Sequence, residues 1–247
     1  MKTIISPAKK MNADPDGLPP RGLPEFLDRA ETLRDYLRGL SYPELKRLLA
    51  CNDRLAELNY ERYQRMELRR GLTPAILAYE GIQYQYMAPG VFTAGEYEYV
   101  ERHLRILSGL YGILRPFNGV TPYRLEMQAK LRTEFCGSLY DYWGDSLAAA
   151  LAREDDTVLD LASEEYSRAV APRLGAGVRR VKAVFGQRVG GRVVEKGVYV
   201  KMARGELVRW MAGRGVEDVE EIRAFDGLGY RYDPELSDGD AYVFLKE

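Results

Sequence analysis

Apolar positions along the chain fall into two kinds of pattern. Short unbroken apolar runs bounded by turn residues predict buried strands over 2–6 (KTIIS, stopped by Pro7), 157–161 (TVLDL) and 241–246. Residues 181–202 alternate as VKAVFGQRV and VVEKGVYVKM around Gly190 and Gly191, which predicts a hairpin. Spacings of three and four predict helices elsewhere. One covers 24–39, with Phe26, Leu27, Ala30, Leu33 and Leu37 on a stripe. Ser41 and Glu44 form a capping box before Leu45, Leu48 and Leu49. Further helices are predicted from Thr73-Pro74, over 94–107, over 141–151 and over 206–213. Residues 11–24 carry four prolines and read as a loop. No internal repeat or low-complexity linker divides the chain. The expectation is one α+β (mixed α/β) domain over 1–247, a mixed sheet flanked by helices, with strand ends gathering into a site.

Composition narrows the class. The 247 residues are 46% hydrophobic and 30% charged, which excludes collagen-like, mucin-like and wholly disordered chains. No apolar run approaches the roughly 18 residues of a membrane span, and MKTIISPAKK lacks the apolar core of a secretory signal. With only two cysteines, the expected compartment is the reducing cytoplasm, and no membrane partner is expected. The net charge of −1 gives no general pull toward nucleic acid, but its distribution is uneven. Residues 173–214 carry eleven Lys or Arg against two Glu, and residues 215–247 three against ten Asp or Glu. A basic segment facing an anionic ligand and a basic face neutralised by the acidic tail both fit this pattern.

Candidate chemistry is sparse. His103 is the only histidine and sits in a helical pattern without a nucleophile motif; Cys51 and Cys136 have no CxxC partner. No metal ligand set and no cofactor are predicted. Lys9 and Lys10 follow a strand end and a proline, where they meet phosphate oxygens or stand as an ordinary exposed pair. Arg115 and Arg124 each lie by a Pro-containing turn, and Arg124 shares a face with Glu126 if that segment is extended. Asp160, Glu164 and Glu165 at one strand end, with Lys201 and Arg204 near another, would line one crevice if the ends meet. Two segments approach a helix-hairpin-helix register, in which hairpin amides face DNA phosphates: 222–229 (IRAFDGLG) and, more loosely, 104–112 (LRILSGLYG) with Ser108 and Gly109 in its turn.

Several long motifs then occur in order: ISPAKK at 5–10, LRILSGLYGILRP at 104–116, PYRLEM at 122–127, LYDYWGD at 139–145, LASEEY at 161–166, KAVFGQ at 182–187, KMARG at 201–205 and GYRYD at 229–233. On these the chain resembles the YaaA-type peroxide-stress family over nearly its whole length. The resemblance implies a bacterial cytoplasmic protein that limits hydrogen peroxide damage and free intracellular iron. It also implies a DNA-binding fold with a helix-hairpin-helix element and a positively charged cleft. Carried onto this chain, Lys9, Arg115, Arg124, Lys130, Lys201 and Arg204 would stand near that cleft. Met202 replaces a frequent lysine of the family, and Tyr86-Met87 stands where the family tends to have Gly-Leu.

The leading expectation is therefore non-catalytic, largely sequence-nonspecific binding of double-stranded DNA through Lys9, Lys10, Ser108, Gly109, Arg115, Arg124, Lys130, Lys201 and Arg204. The rival is an enzyme acting on a nucleotide or another phosphate compound in a polar crevice, with Glu126, Glu165 and Lys201 as acid–base groups.

Overall fold

A computed structural model describes residues 1–246. Its centre is a sheet of eight strands: β1 (Lys2–Ile5), β2 (Leu104–Ser108), β3 (Gly112–Leu114), β4 (Thr157–Leu161), β5 (Arg179–Val189), β6 (Arg192–Val194), β7 (Tyr230–Tyr232) and β8 (Ala241–Lys246). The order is β7-β8-β5-β4-β1-β2-β3, with β6 paired to β5 beside this path. The five inner strands β8, β5, β4, β1 and β2 are parallel, and the edge strands β7 and β3 are antiparallel to their neighbours. This accounts for the unbroken apolar runs. A parallel strand covered on both faces has no polar side to alternate with, and Ile4, Ile5, Val158, Leu159 and Leu161 are wholly buried.

Helices cover the sheet: α1 (Leu27–Gly39), α2 (Tyr42–Leu49), α3 (Asp53–Arg65), α4 (Ile82–Met87) and α5 (Ala94–His103) between β1 and β2, then α6 (Leu139–Trp143), α7 (Ser146–Glu154), α8 (Glu164–Ser167) and α9 (Gly197–Arg214). The α2 start is the expected capping box, with the Ser41 amide donating to Glu44 at 2.9 Å. The single-domain mixed α/β architecture is as expected.

Four local expectations differ. The helix expected over 94–107 stops at His103, because residues 104–108 are buried on every side and join the sheet as β2. The helix over 141–151 breaks at Gly144, whose φ is +49°. Thr73-Pro74 pairs with Gly119–Val120 before a single helical turn, Ala75–Ala78. The hairpin around Gly190 and Gly191 forms, but its second strand ends at Val194, and α9 then runs for 18 residues. Its buried side carries Arg204 and Gly205 while Val198 and Tyr199 are exposed, so no amphipathic stripe announces it.

Neither helix-hairpin-helix candidate forms a helix pair. Residues 104–112 make the β2–β3 strand pair, and residues 222–229 are short 3-10 turns running into β7 with Leu228 at φ +57°. No helix among the described residues is long and apolar enough to cross a membrane.

Candidate phosphate-binding cleft at the sheet switch point

From β1 the chain crosses to β2 on one side; from β4 it crosses to β5 on the other. The carboxyl ends of β1 and β4 therefore diverge, and a crevice must open where they part. A cleft of about 390 Å³ lies there. Its floor is the pair of strand ends, where the Ser163 amide donates to Ser6 Oγ at 2.8 Å. One wall is the 123–126 segment. The β2–β3 turn holds it closely, since a Cβ on Gly109 would stand 2.3 Å from the Leu125 carbonyl oxygen. Trp143 Nε1 donates to the Gly109 carbonyl at 3.1 Å and fixes the turn from behind. Tyr123 Oη shares hydrogen bonds with Ser108 Oγ at 2.6 Å and Tyr79 Oη at 2.8 Å, and Tyr84 donates to the Ser6 carbonyl at 3.0 Å.

The facing wall comes from α4 and α9. Gly205 permits their contact, because a Cβ there would lie 2.0 Å from the Gln83 carbonyl oxygen and 2.9 Å from the Met87 amide nitrogen. Residues 201, 204 and 205 lie on one helical face, so this approach carries Lys201 and Arg204 to the cleft beside Gln83. The turn expected to differ at Tyr86-Met87 is made by Ala88 in the left-handed region, φ +49°.

Five cations and three carboxylates line the cleft. Lys9 Nζ lies 2.6 Å and Arg124 Nη2 3.2 Å from the same Glu126 oxygen, so one carboxylate serves two cations. Lys10 pairs with Glu80 at 2.8 Å. Glu165 accepts from the Gln128 amide at 3.2 Å; burial pushes its carboxyl above the usual range, and nearby Glu126 adds to this. Lys201 is exposed, and among the described residues it has no ion-pair partner. Arg204 is 7% exposed, makes no hydrogen bond or ion pair to another described residue, and burial lowers its pKa. The Nε atoms of Arg124 and Arg204 and the Gln83 amide nitrogen are buried donors without acceptors. A buried unpaired donor costs about 1–3 kcal/mol and a charged one more. Three such donors lie on the walls of this one cleft.

Lys9, Lys10, Arg124, Lys201 and Arg204 thus come together, with Glu126 and Glu165. Lys201 and Arg204 reach the cleft from a helix rather than a strand end. Four expected residues lie elsewhere. Arg115 stands at the opposite end of the sheet, beside Arg105, 3.3 Å from Glu154. Antiparallel β3 returns the chain to that end, which separates Arg115 from the cleft. Ser108 is wholly buried with its hydroxyl engaged by Tyr123 and the Tyr111 amide, and Gly109 packs under Leu125, so neither offers a surface to phosphate. Lys130 is exposed outside the lining. Of the acidic group, Asp160 is buried with Arg180 at 2.9 Å and Glu164 points to Lys182 at 3.5 Å; only Glu165 lines the cleft. Residue-level reading missed Gln83, Tyr84 and Ser6. Ser6 lies within ISPAKK, but nothing in the sequence marks Gln83.

Residues 1–236 match the family described as peroxide stress protein YaaA. The chain belongs to the YaaA family of peroxide stress proteins. It is 58% identical over 246 residues to a UPF0246 protein of Desulfitobacterium hafniense, covering 100% of this chain and 98% of that one. A UPF0246 protein of Lachnoclostridium phytofermentans is 50% identical over 246 residues (100% and 96% covered), and one of Agathobacter rectalis 46% over 247 (100% and 99%). The motifs that carry the YaaA resemblance converge in space. ISPAKK, PYRLEM, LASEEY and KMARG all contribute to the cleft, LYDYWGD and SGLYG brace it from behind, and Tyr140 Oη donates to the Glu165 carbonyl at 2.9 Å.

Proposed function

We propose that this YaaA-family protein binds DNA without strong sequence preference, at the cleft between the ends of β1 and β4, as its part in the peroxide stress response. The convergence of five cations at the switch point carries this reading. Lys9, Lys10 and Lys201 are largely exposed at the rim, where they reach backbone phosphates of a duplex lying across the mouth. The Lys10–Glu80 ion pair is exposed and weak, so exchanging that carboxylate for a phosphate costs little. Limitation of oxidative DNA damage and of free iron in the cytoplasm is the companion proposal. No residue is assigned to iron, and its readout is cellular iron in cells carrying cleft variants.

The test is fluorescence anisotropy with two duplexes of unrelated sequence. Lys10→Ala with Lys201→Ala is expected to weaken both about equally, by tenfold or more, while Arg115→Ala leaves both within twofold. A strong preference for one sequence, or an Arg115→Ala loss as large as the rim loss, refutes the reading.

A further inference from the structure

At about 390 Å³ the cleft has no room for a duplex, yet it holds buried donors without acceptors. Arg204 is more than nine-tenths buried without a counter-charge in contact, and Gln83, equally buried, presents an amide nitrogen without an acceptor. Arg124 adds a third buried donor, Nε, while its Nη2 is held by Glu126 at 3.2 Å. A guanidinium offers parallel N–H donors that match the oxygens of a phosphate. The remaining surface is of another kind: Pro7, Ile82, Tyr84, Leu125 and Tyr166 add apolar lining from the floor and both walls. At about 390 Å³ it lies at the small end of the range for a ligand of modest size.

We infer that the inner cleft takes one nucleotide unit, its phosphate on Arg204, Arg124 and Gln83 and its base among the apolar lining side chains. This rests on the proposed use of the cleft for nucleic acid and names what enters it. The unit has two sources: an unpaired nucleotide displaced from a DNA strand, or a free nucleoside monophosphate. Displacing a nucleotide costs unstacking energy, least where it is already unpaired. Bound phosphate supplies Arg204 with a contacting anion, where Glu195 and Asp160 act only at a distance, and this offsets part of that cost.

The experiment uses the full chain and three probes: a paired duplex, the same duplex with one extra unpaired deoxyadenosine, and deoxyadenosine monophosphate. The expected result is about tenfold tighter binding of the duplex with the unpaired nucleotide. Arg204→Met and Gln83→Leu, which keep side-chain volume, bring that ratio close to one, whereas Arg115→Ala preserves it. Binding of the monophosphate, lost in Arg204→Met, with no advantage for the unpaired nucleotide, supports the inference with the free nucleotide as source. Monophosphate binding sensitive to Arg204, with no duplex binding at all, removes the DNA reading and leaves the nucleotide site standing. If the paired duplex binds but neither other probe responds to Arg204→Met or Gln83→Leu, the nucleotide site is overturned while the DNA reading stands. Thermal melting of both variants confirms that they fold.

Discussion

Gly205→Ala is the sharpest test of how the cleft is built. In an unhindered helix, alanine in place of glycine gains about 0.5–1 kcal/mol. At position 205 the new Cβ would lie 2.0 Å from the Gln83 carbonyl oxygen and 2.9 Å from the Met87 amide nitrogen. Both are backbone atoms of α4, so no side chain can rotate away. One helix must shift by more than an ångström to restore ordinary contact. Overpacking of this kind costs about 1–3 kcal/mol, and the upper end applies where backbone meets Cβ. The net expectation is a loss of about 2 kcal/mol, or a Tm drop of about 4–8 °C for a domain of this size. Gly213 lies in the same helix with only a Glu96 side-chain oxygen within 4 Å, at 3.6 Å. Gly213→Ala should therefore hold or raise Tm. Thermal melting monitored by circular dichroism reads both variants. Equal Tm for Gly205→Ala and wild type would refute the close approach of α9 to α4, and with it the route by which Arg204 reaches Gln83.

Three further outcomes follow from the geometry. Burial raises the Glu165 carboxyl in the folded state, so its favourable contribution is complete below the unfolded pKa and is lost as pH rises through the folded one. Glu165→Gln should accordingly raise Tm at pH 7.5 and give no gain near pH 4; a gain of equal size at both would contradict this. At the other end of the sheet, burial alone would raise Glu154, but Arg105, Arg115 and Lys2 hold it below the usual range. Its contribution is present above the unfolded pKa and fades as pH falls. Arg105→Met, removing a nearly buried partner, should cost about 3 kcal/mol by urea unfolding at pH 7 and less at pH 4. Ala88 is held at φ +49°, so Ala88→Gly should raise Tm by about 1–3 °C, and a fall would show that the turn tolerates alanine without strain.

Strand β5 showed through its alternation, whereas apolar runs revealed β1, β4 and β8 because covered parallel strands need no polar face. The same property hid β2, since LRILS continues the apolar residues of α5 and only pairing with β1 separates strand from helix. α9 was hidden for another reason: Arg204 and Gly205 lie on its buried side and Val198 and Tyr199 on its exposed side, which erases the stripe. The cleft was half legible. Lys9 was legible because it follows the end of β1, and connections at a switch point leave strand ends bare; the expected strand end that pointed to Lys201 and Arg204 is in fact helix α9. Arg115 misled, since its Pro-flanked setting resembles that of Arg124 while β3 carries it to the far end of the sheet. The SGLYG glycines looked like exposed amides but serve packing: Gly109 admits Leu125, and Gly112, at φ +76°, admits Trp143. Gln83 gave no signal, because only the contact through Gly205 places it opposite Arg204.

The most direct measurement of phosphate binding at the switch point is the salt dependence of duplex affinity. Each neutralised phosphate contributes about −0.9 to the slope of log K against log salt. Wild type should show a steep negative slope, and the Lys10→Ala, Lys201→Ala double variant a slope shallower by about two, with Arg115→Ala unchanged. Identical slopes for wild type and the double variant, or flattening by Arg115→Ala alone, would contradict the account.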